Sequence, residues 1–465
     1  MSVRALVRTS GLLQFLAKRF SNAPRRISLY RTTYPKEVEM LHRTSAVARV
    51  SVPPSRAGPS LVISFVAATL ALLVAAIAGG QTPTPQLTHS VATPLTDSVK
   101  AHPNTETKPA DSVAAATKAA AALPKWFDEL AVNAFVSTAY EYNSNRPTNG
   151  ANSFRVFDFS DNSFNLDVAE LVVQIAASKP NDAGFRVDFD AGNSIPQITK
   201  TQDQTAAQFD LKQAFASYIA PLGSGLRFDV GKFVTHLGYE VIEGYDGYND
   251  NYSRSILFGY AIPFTHTGAK ASYAFSSKVA GMVEVVNGWD LLRDNNHSKS
   301  VGAQLSLTPI APLQVLLNWI GGPELANNNH SNRNVFDVVA ILKPTSTLTL
   351  GLNGDYGKED GTSLVNPGSD ATWKGIAGYA TVALTNKFSV ALRGETFHDE
   401  DGVRLGTGTN ATLSEGTLTP AYKFTDHVLV RGEVRYDKAN QPIITKRGTL
   451  ADKQTTVGAN VIFVY

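Results

Sequence analysis

The chain has no cysteine, so it carries no disulfide framework, no thiolate metal site and no cysteine nucleophile. Apart from one segment near its start it has no long apolar run, which excludes a bundle of membrane-spanning helices. No G-x-S-x-G, Walker A or H-E-x-x-H pattern occurs, so no motif points to a hydrolase, a nucleotide or a zinc protease. His236, His266, His297, His330, His398 and His427 are scattered without metal-ligand spacing. Asp246 to Asn251, DGYNDN, has oxygen ligands but neither the order nor the terminal Glu of an EF-hand loop. No metal and no cofactor is expected. What the chain has in quantity is glycine and aromatic residues, 35 Gly, 23 Phe and 16 Tyr in 465 positions, a length that fits two or three ordinary domains or one large barrel.

The one apolar run, Leu61 to Ala78, follows Arg43, Arg49 and Arg56 and ends in Ala76, Ile77, Ala78. A basic start, an apolar core and a small-residue site describe a secretory signal peptide cleaved after Ala78. The rival, a membrane anchor, is disfavoured because QTPTPQ follows and no second helical span exists. Met40 lies at a natural distance before the core, so translation is expected to begin there, with residues 1–39 an over-long extension. Residues 1–78 hold 11 Lys and Arg and 2 acids; without them the chain has 31 basic against 38 acidic residues, a formal charge of −7. That balance argues against nucleic acid as a partner. Residues 79–125 are rich in Thr, Pro and Ala and read as a periplasmic linker, with DSVAAATKAAAAL able to form a short helix.

From Trp126 to the end, short stretches of period two alternate with turn residues, which describes one all-β domain over 126–465. In one stretch Phe185, Val187, Phe189 and Ala191 alternate with Arg186, Asp188 and Asp190; in another Val428, Val430, Gly432, Val434 and Tyr436 alternate with Arg431, Glu433, Arg435 and Asp437. Strands are expected at 130–143, 163–176, 184–192, 209–220, 225–235, 266–276, 279–288 and 299–308. Eight more follow at 313–320, 334–343, 347–357, 373–384, 388–398, 411–422, 427–437 and 454–465. Most approach the ~9 to 11 residues of a tilted membrane strand. Their connections alternate between short ones, such as PLGSG, SSK, TNK and KFTD, and long polar ones. Seven short turns and eight long loops follow from sixteen strands if both chain ends lie on the short-turn side. This is the layout of a transmembrane antiparallel up-and-down β-barrel with periplasmic turns and extracellular loops. The last stretch, TTVGANVIFVY, is expected to be its closing strand, with Phe463 and Tyr465 resembling the terminal assembly signal of outer-membrane barrels.

In such a barrel the polar residues of each strand face the lumen. Arg186, Asp188, Asp190, Arg227, Asp229, Lys270, Arg393, Glu395, Arg431, Glu433 and Arg435, followed by Asp437, are therefore expected to line an aqueous wall, because their charge is very costly against lipid. The bland account of each is a cross-strand ion pair that stiffens the wall. The third long loop, over 236–265, has Tyr239, Glu240, Glu243, Tyr245, Asp246, Tyr248, Asp250, Tyr252, Arg254 and Tyr260. It is too apolar to remain in solvent. Folded into the lumen it would form the constriction, and folded outside it would form a cap or an oligomer contact.

The run GKFVTHLGYEVIEGYDGYNDNYSRSILFGYAIPFTHTG, with RVFDFSDNSFNLDVAELVV before it and VVNGWDLLRDNN after it, resembles the OmpL-like β-barrel porin family of Gram-negative outer membranes. The resemblance spans Phe135 to the end and is most specific between Phe154 and Pro323. It implies a passive outer-membrane channel and brings no catalytic residues. The expectation is a non-enzymatic porin for small hydrophilic solutes or ions, with a mild cation preference from the acidic excess. Its expected partners are outer-membrane lipid, the barrel-assembly machinery and, by analogy, two further copies in a homotrimer. The alternatives are a barrel enzyme that hydrolyses lipid or peptide, with Ser, His and Asp assembled from different strands, and a plugged binding or adhesive barrel.

Overall fold

The computed structural model describes residues 129–195 and 209–465. The expected signal segment, the start at Met40, the 79–125 linker with its helix, and residues 196–208 of the second long loop lie outside them. Sixteen antiparallel strands close into one barrel. In chain order come β1 (Ala131–Asn143), β2 (Ser163–Ile175), β3 (Ala183–Ala191), β4 (Phe209–Ala220) and β5 (Leu226–Val234). A short helix, α1 (Ile256–Tyr260), precedes β6 (Thr265–Ser276), β7 (Val279–Val286), β8 (Ser300–Ile310) and β9 (Leu313–Pro323). Then follow β10 (Asn332–Thr345), β11 (Leu348–Glu359), β12 (Ala371–Ala383), β13 (Phe388–Asp399), β14 (Ala411–Lys423) and β15 (Val428–Ala439). A separate hairpin, β16 (Ile444–Lys446) and β17 (Thr449–Ala451), stands in the last long loop before β18 (Lys453–Val464).

All sixteen expected strands are present, shifted at their ends by a few residues at most; the small hairpin was not foreseen. The seven tight connections gather at one end and the eight long loops at the other. β18 pairs with β15 and with β1, in register from Phe135 opposite Val464 to Asn143 opposite Thr456. Tyr465 completes the seam: its N–H donates to the Ala134 carbonyl and its carbonyl accepts from the Ala134 N–H, both at 2.8 Å. No barrel edge is left unpaired, which is what lets a sheet exist inside hydrocarbon.

Alternation along each strand divides the side chains between two surroundings. The outer face exposes apolar residues such as Val230, Val283, Leu317, Ile376, Val434 and Val457, while Asp188, Asn318, Asp337, Glu395, Arg431 and Asn460 are buried inside. A soluble sheet would place these the other way round. At the short-turn end the outer aromatics pair up: Tyr273 with Phe275 and Tyr422 with Phe424 meet edge to face at 5.1 and 4.9 Å, and His427 stacks on Tyr465 at 4.3 Å. One irregularity bears on the lumen. The register of β3 against β4 shifts between Asp188 and Phe189, which pair with Gln213 and Leu211. The extra residue, Lys212, is turned inward and buried beside Asp210 and Gln213, the side-chain re-aiming that bulges produce.

Candidate functional site

The connection between β5 and β6 enters the barrel and crosses it. An irregular segment in a closed interior has no neighbouring strand, yet each of its backbone N–H and C=O groups still needs a partner. The wall supplies these with charged side chains of both signs. Carboxylates and amides take the N–H groups. Asp337 on β10 accepts from Gly238 N at 3.3 Å, Asn353 on β11 from Tyr239 N at 3.0 Å, and Glu170 on β2 from Tyr245 N at 2.5 Å. Glu433 on β15 accepts from Tyr252 N and Ser253 N at 2.6 and 3.0 Å. Glu395 on β13 accepts from Ile256 N and Leu257 N at 2.5 and 2.9 Å, capping the free amides at the start of α1. Guanidiniums take the carbonyls. Arg393 donates to Ser253 O, Arg431 to Asn249 O and Arg435 to Arg254 O, each at 2.5 Å.

The loop returns its own charges to the same wall. Glu240 accepts from Arg393 at 2.8 Å and from Ser255 N at 2.7 Å. Glu243 accepts from Arg431 at 2.8 Å and lies 3.5 Å from Arg254. Burial works to raise the Glu243 carboxyl, and the Arg254 and Arg431 guanidiniums overcome it, holding it below the usual carboxylate range. Burial raises the Tyr252 phenol. Tyr252 donates to Asp167 at 3.3 Å beneath the Arg431 guanidinium, and Tyr239 stacks on Tyr379 at 4.1 Å. Asp250 accepts from Thr381. Tyr245, Tyr248 and Tyr260 pack half-buried against the apolar cluster in the lumen. In that cluster Phe258 and Phe264 meet Phe157 of the first long loop, and Arg254 lies over the Phe157 ring at 4.6 Å.

The expected wall residues therefore divide into two sets. Arg393, Glu395, Arg431, Glu433 and Arg435 lie beneath the loop with their side chains almost wholly enclosed, so they hold the loop and do not line open water. The second set is on β3, β5 and β6. Arg186 pairs with Asp188 and, across the lumen, with Asp246 of the loop, both at 2.7 Å. Arg227 pairs with Asp229 at 2.9 Å, and Lys270 lies 3.9 Å from the same carboxylate and 4.4 Å above the Phe233 ring. The side chains of Arg186, Arg227, Lys270 and Asp246 keep 12, 26, 23 and 52% of their surface accessible. Asp190, buried, lies 3.8 Å from Lys212.

Several residues of the site are absent from the expected set. Lys212 pairs with Glu170 through the β4 bulge. Arg155, in the first long loop, is enclosed and donates to Asp437 at 2.7 Å and to Asp158. Glu415 accepts from Arg393 at 2.8 Å. Glu170 and Glu415 follow the inward phase of their strands and were findable by counting; Lys212 stands where the inward phase of β4 switches between Asp210 and Gln213, and Arg155 lies in a loop without one.

A family model described as "Putative beta-barrel porin-2, OmpL-like" matches residues 129–465. Among solved structures, the outer-membrane channel DcaP of Acinetobacter baumannii is similar in fold, at 10% identity over 72% of this chain and 97% of that one, with a TM-score of 0.51. The anion-selective porin of Comamonas acidovorans has 11% identity over 72% and 99%, at 0.49. OprB of Pseudomonas putida has 13% identity over 73% and 96%, also at 0.49. No curated protein sequence matches the chain. At such identities the structural likeness speaks for the barrel alone.

Proposed function

The chain belongs to the OmpL-like β-barrel porin family of the bacterial outer membrane, and we propose that it passes small hydrophilic solutes or ions passively through the strip of lumen between the third loop and β3–β6. The observation that carries this reading is the contrast in accessibility between the two sets of wall charges. Those on β13–β15 are sealed under the loop, while Arg186, Arg227, Lys270 and Asp246 remain accessible. A permeating ion responds to the charges it passes. Arg186, Arg227 and Lys270 on that strip are matched by Asp188, Asp229 and Asp246, three bases against three acids, so the strip is charge-balanced and its selectivity is set by which of these side chains the permeating ion meets.

Planar-bilayer measurement tests the proposal. Folded wild-type protein is expected to carry ion current, with a reversal potential in a salt gradient that Lys270→Glu moves toward cations. Absence of current would leave the plugged binding barrel as the reading. The channel is proposed to be non-enzymatic; lipid or peptide hydrolysis lost on replacing one Ser or His would overturn that. The proposal extends to a homotrimer inserted by the barrel-assembly machinery, supported by the size of the barrel and by Phe463 and Tyr465 at its seam, and crosslinking in detergent tests the trimer.

A further inference from the structure

Where the third loop leaves and rejoins the wall, three side chains converge. His236 follows the end of β5, His266 is near the start of β6, and Glu284 is near the end of β7. One donor atom from each lies within 4.8 Å of the others. His236 Nδ1 is 3.3 Å and His266 Nε2 is 3.9 Å from Glu284 Oε1, and the three side chains are 8, 0 and 1% exposed.

The second nitrogen of each ring fixes what the first can offer. His236 Nε2 lies 3.3 Å from the Trp319 carbonyl and His266 Nδ1 lies 3.1 Å from the Gly288 carbonyl. A carbonyl only accepts, so both of these nitrogens carry the proton. In the neutral rings, His236 Nδ1 and His266 Nε2 are then lone pairs, and both are turned toward a carboxylate oxygen. His236 Nδ1 and Glu284 Oε1 are buried and have no hydrogen-bond partner. Two unpartnered electron pairs facing each other in an enclosed space, with His266 Nε2 beside them shared only with the Thr235 hydroxyl, make a place that a cation would stabilise.

We propose that this cluster binds one divalent first-row transition ion, of which Zn²⁺ is the type. Two imidazoles and a carboxylate suit that class, whereas Mg²⁺ and Ca²⁺ prefer oxygen alone. Bonds of about 2.0–2.1 Å give a tetrahedron whose edges are about 3.4 Å; the 3.3 and 3.9 Å separations are close to this. Thr235 Oγ1, 3.1 Å from His266 Nε2, stands at a fourth corner, where its hydroxyl or a water completes the shell. The carbonyls of Trp319 and Gly288 are the outer partners that orient metal-bound histidines. Opposite Glu284 on β8 stands Gly302, where a Cβ would lie 2.7 Å from Glu284 Oε1 and 2.9 Å from His236 Cε1, so the glycine leaves the space open. Because His236 and His266 flank the two ends of the third loop, the ion ties both stalks to β7. The inference does not depend on what passes through the lumen.

Co²⁺ is the probe, since its visible absorption reports four-coordinate nitrogen and oxygen ligation directly. Purified, folded full-length protein, stripped with a chelator and titrated in detergent, is expected to take up one Co²⁺ per barrel with a visible band, to release it to Zn²⁺, and to unfold at a higher temperature when loaded. His236→Gln and Glu284→Gln should each abolish the band, and Gly302→Ala, which keeps every ligand, should weaken it. A variant lacking His297, His330, His398 and His427 should retain it. Failure of the wild type to bind stoichiometrically would overturn the proposal and leave the cluster as a His236–Glu284 side-chain pair. Binding unchanged in His236→Gln and Glu284→Gln, with the folded state verified by heat-modifiable gel mobility, would overturn it equally.

Discussion

Arg393 on β13 and Glu240 in the third loop stand 2.8 Å apart with both side chains enclosed, and Arg393 also donates to Glu415 at 2.8 Å and to Ser253 O. A guanidinium completely removed from water is tolerable only when its donors are matched this fully. The same five-donor fork holds a wall carboxylate, a loop carboxylate and a loop carbonyl at once. The pair thus joins the loop to the barrel at a fully enclosed point, as Arg431 and Glu243 do at a second.

Truncating one member should expose how much depends on it. Arg393→Ala leaves Glu240 a buried carboxylate without its cation and Glu415 with Arg435 alone, 3.6 Å away, a defect that typically costs about 3–5 kcal/mol. The expected outcome is a released third loop: a larger and noisier single-channel conductance, and cleavage by added protease between β5 and β6 while the barrel stays heat-modifiable on a gel. Protease resistance and conductance equal to the wild type would show that the other contacts hold the loop unaided.

Acid should loosen the neighbouring contact. The Glu243 carboxyl is held below the usual range by Arg254 and Arg431 against the effect of burial. Its contribution to stability is therefore full above the ordinary carboxylate value and is lost as pH falls through the depressed one. Taking the bilayer from about pH 6 to about pH 3 should reversibly increase the current. Glu243→Gln should show the increase at neutral pH and lose part of the acid response; a current indifferent to both changes would remove Glu243 from loop retention.

Charge reversal at Asp246, whose side chain is open to water, should change selectivity with little effect on stability, since such ion pairs contribute about 1 kcal/mol or less. Reversal at Arg186 also sets like charge against the buried Asp188 and lowers stability. Asp246→Lys sets like charge against Arg186 and is expected to move the reversal potential toward anions, while Arg186→Glu moves it toward cations. Asp250→Lys should have the smaller effect on selectivity, because Asp250 is turned to Thr381. Equal shifts from Asp246 and Asp250 would mean that the passage runs elsewhere.

Removing Tyr465 should impair closure. Its deletion takes away two hydrogen bonds to Ala134 and the stack on His427, with each bond contributing about 1 kcal/mol. The expected result is a smaller folded fraction in the membrane, read as loss of the heat-modifiable band, with unchanged conductance from the barrels that do assemble. A folded yield equal to the wild type would remove the terminal residue from assembly.

The sequence by itself determined the barrel. Alternation at period two is a local property of each strand, and in an up-and-down meander each strand pairs with its neighbour in the chain. The sixteen strands, their inward charges and the unusual third connection were therefore all readable in order. Only the tertiary structure decided which charges face water and which are sealed. Glu240 reaches Arg393 across 153 positions, along an irregular loop whose path has no period to read. The same reason hid Lys212, re-aimed by a bulge, and Arg155, carried inward by a loop. It also hid His236, His266 and Glu284, which have no motif spacing along the chain and meet because β5, β6 and β7 pair as neighbours and the start of the third loop folds His236 onto them.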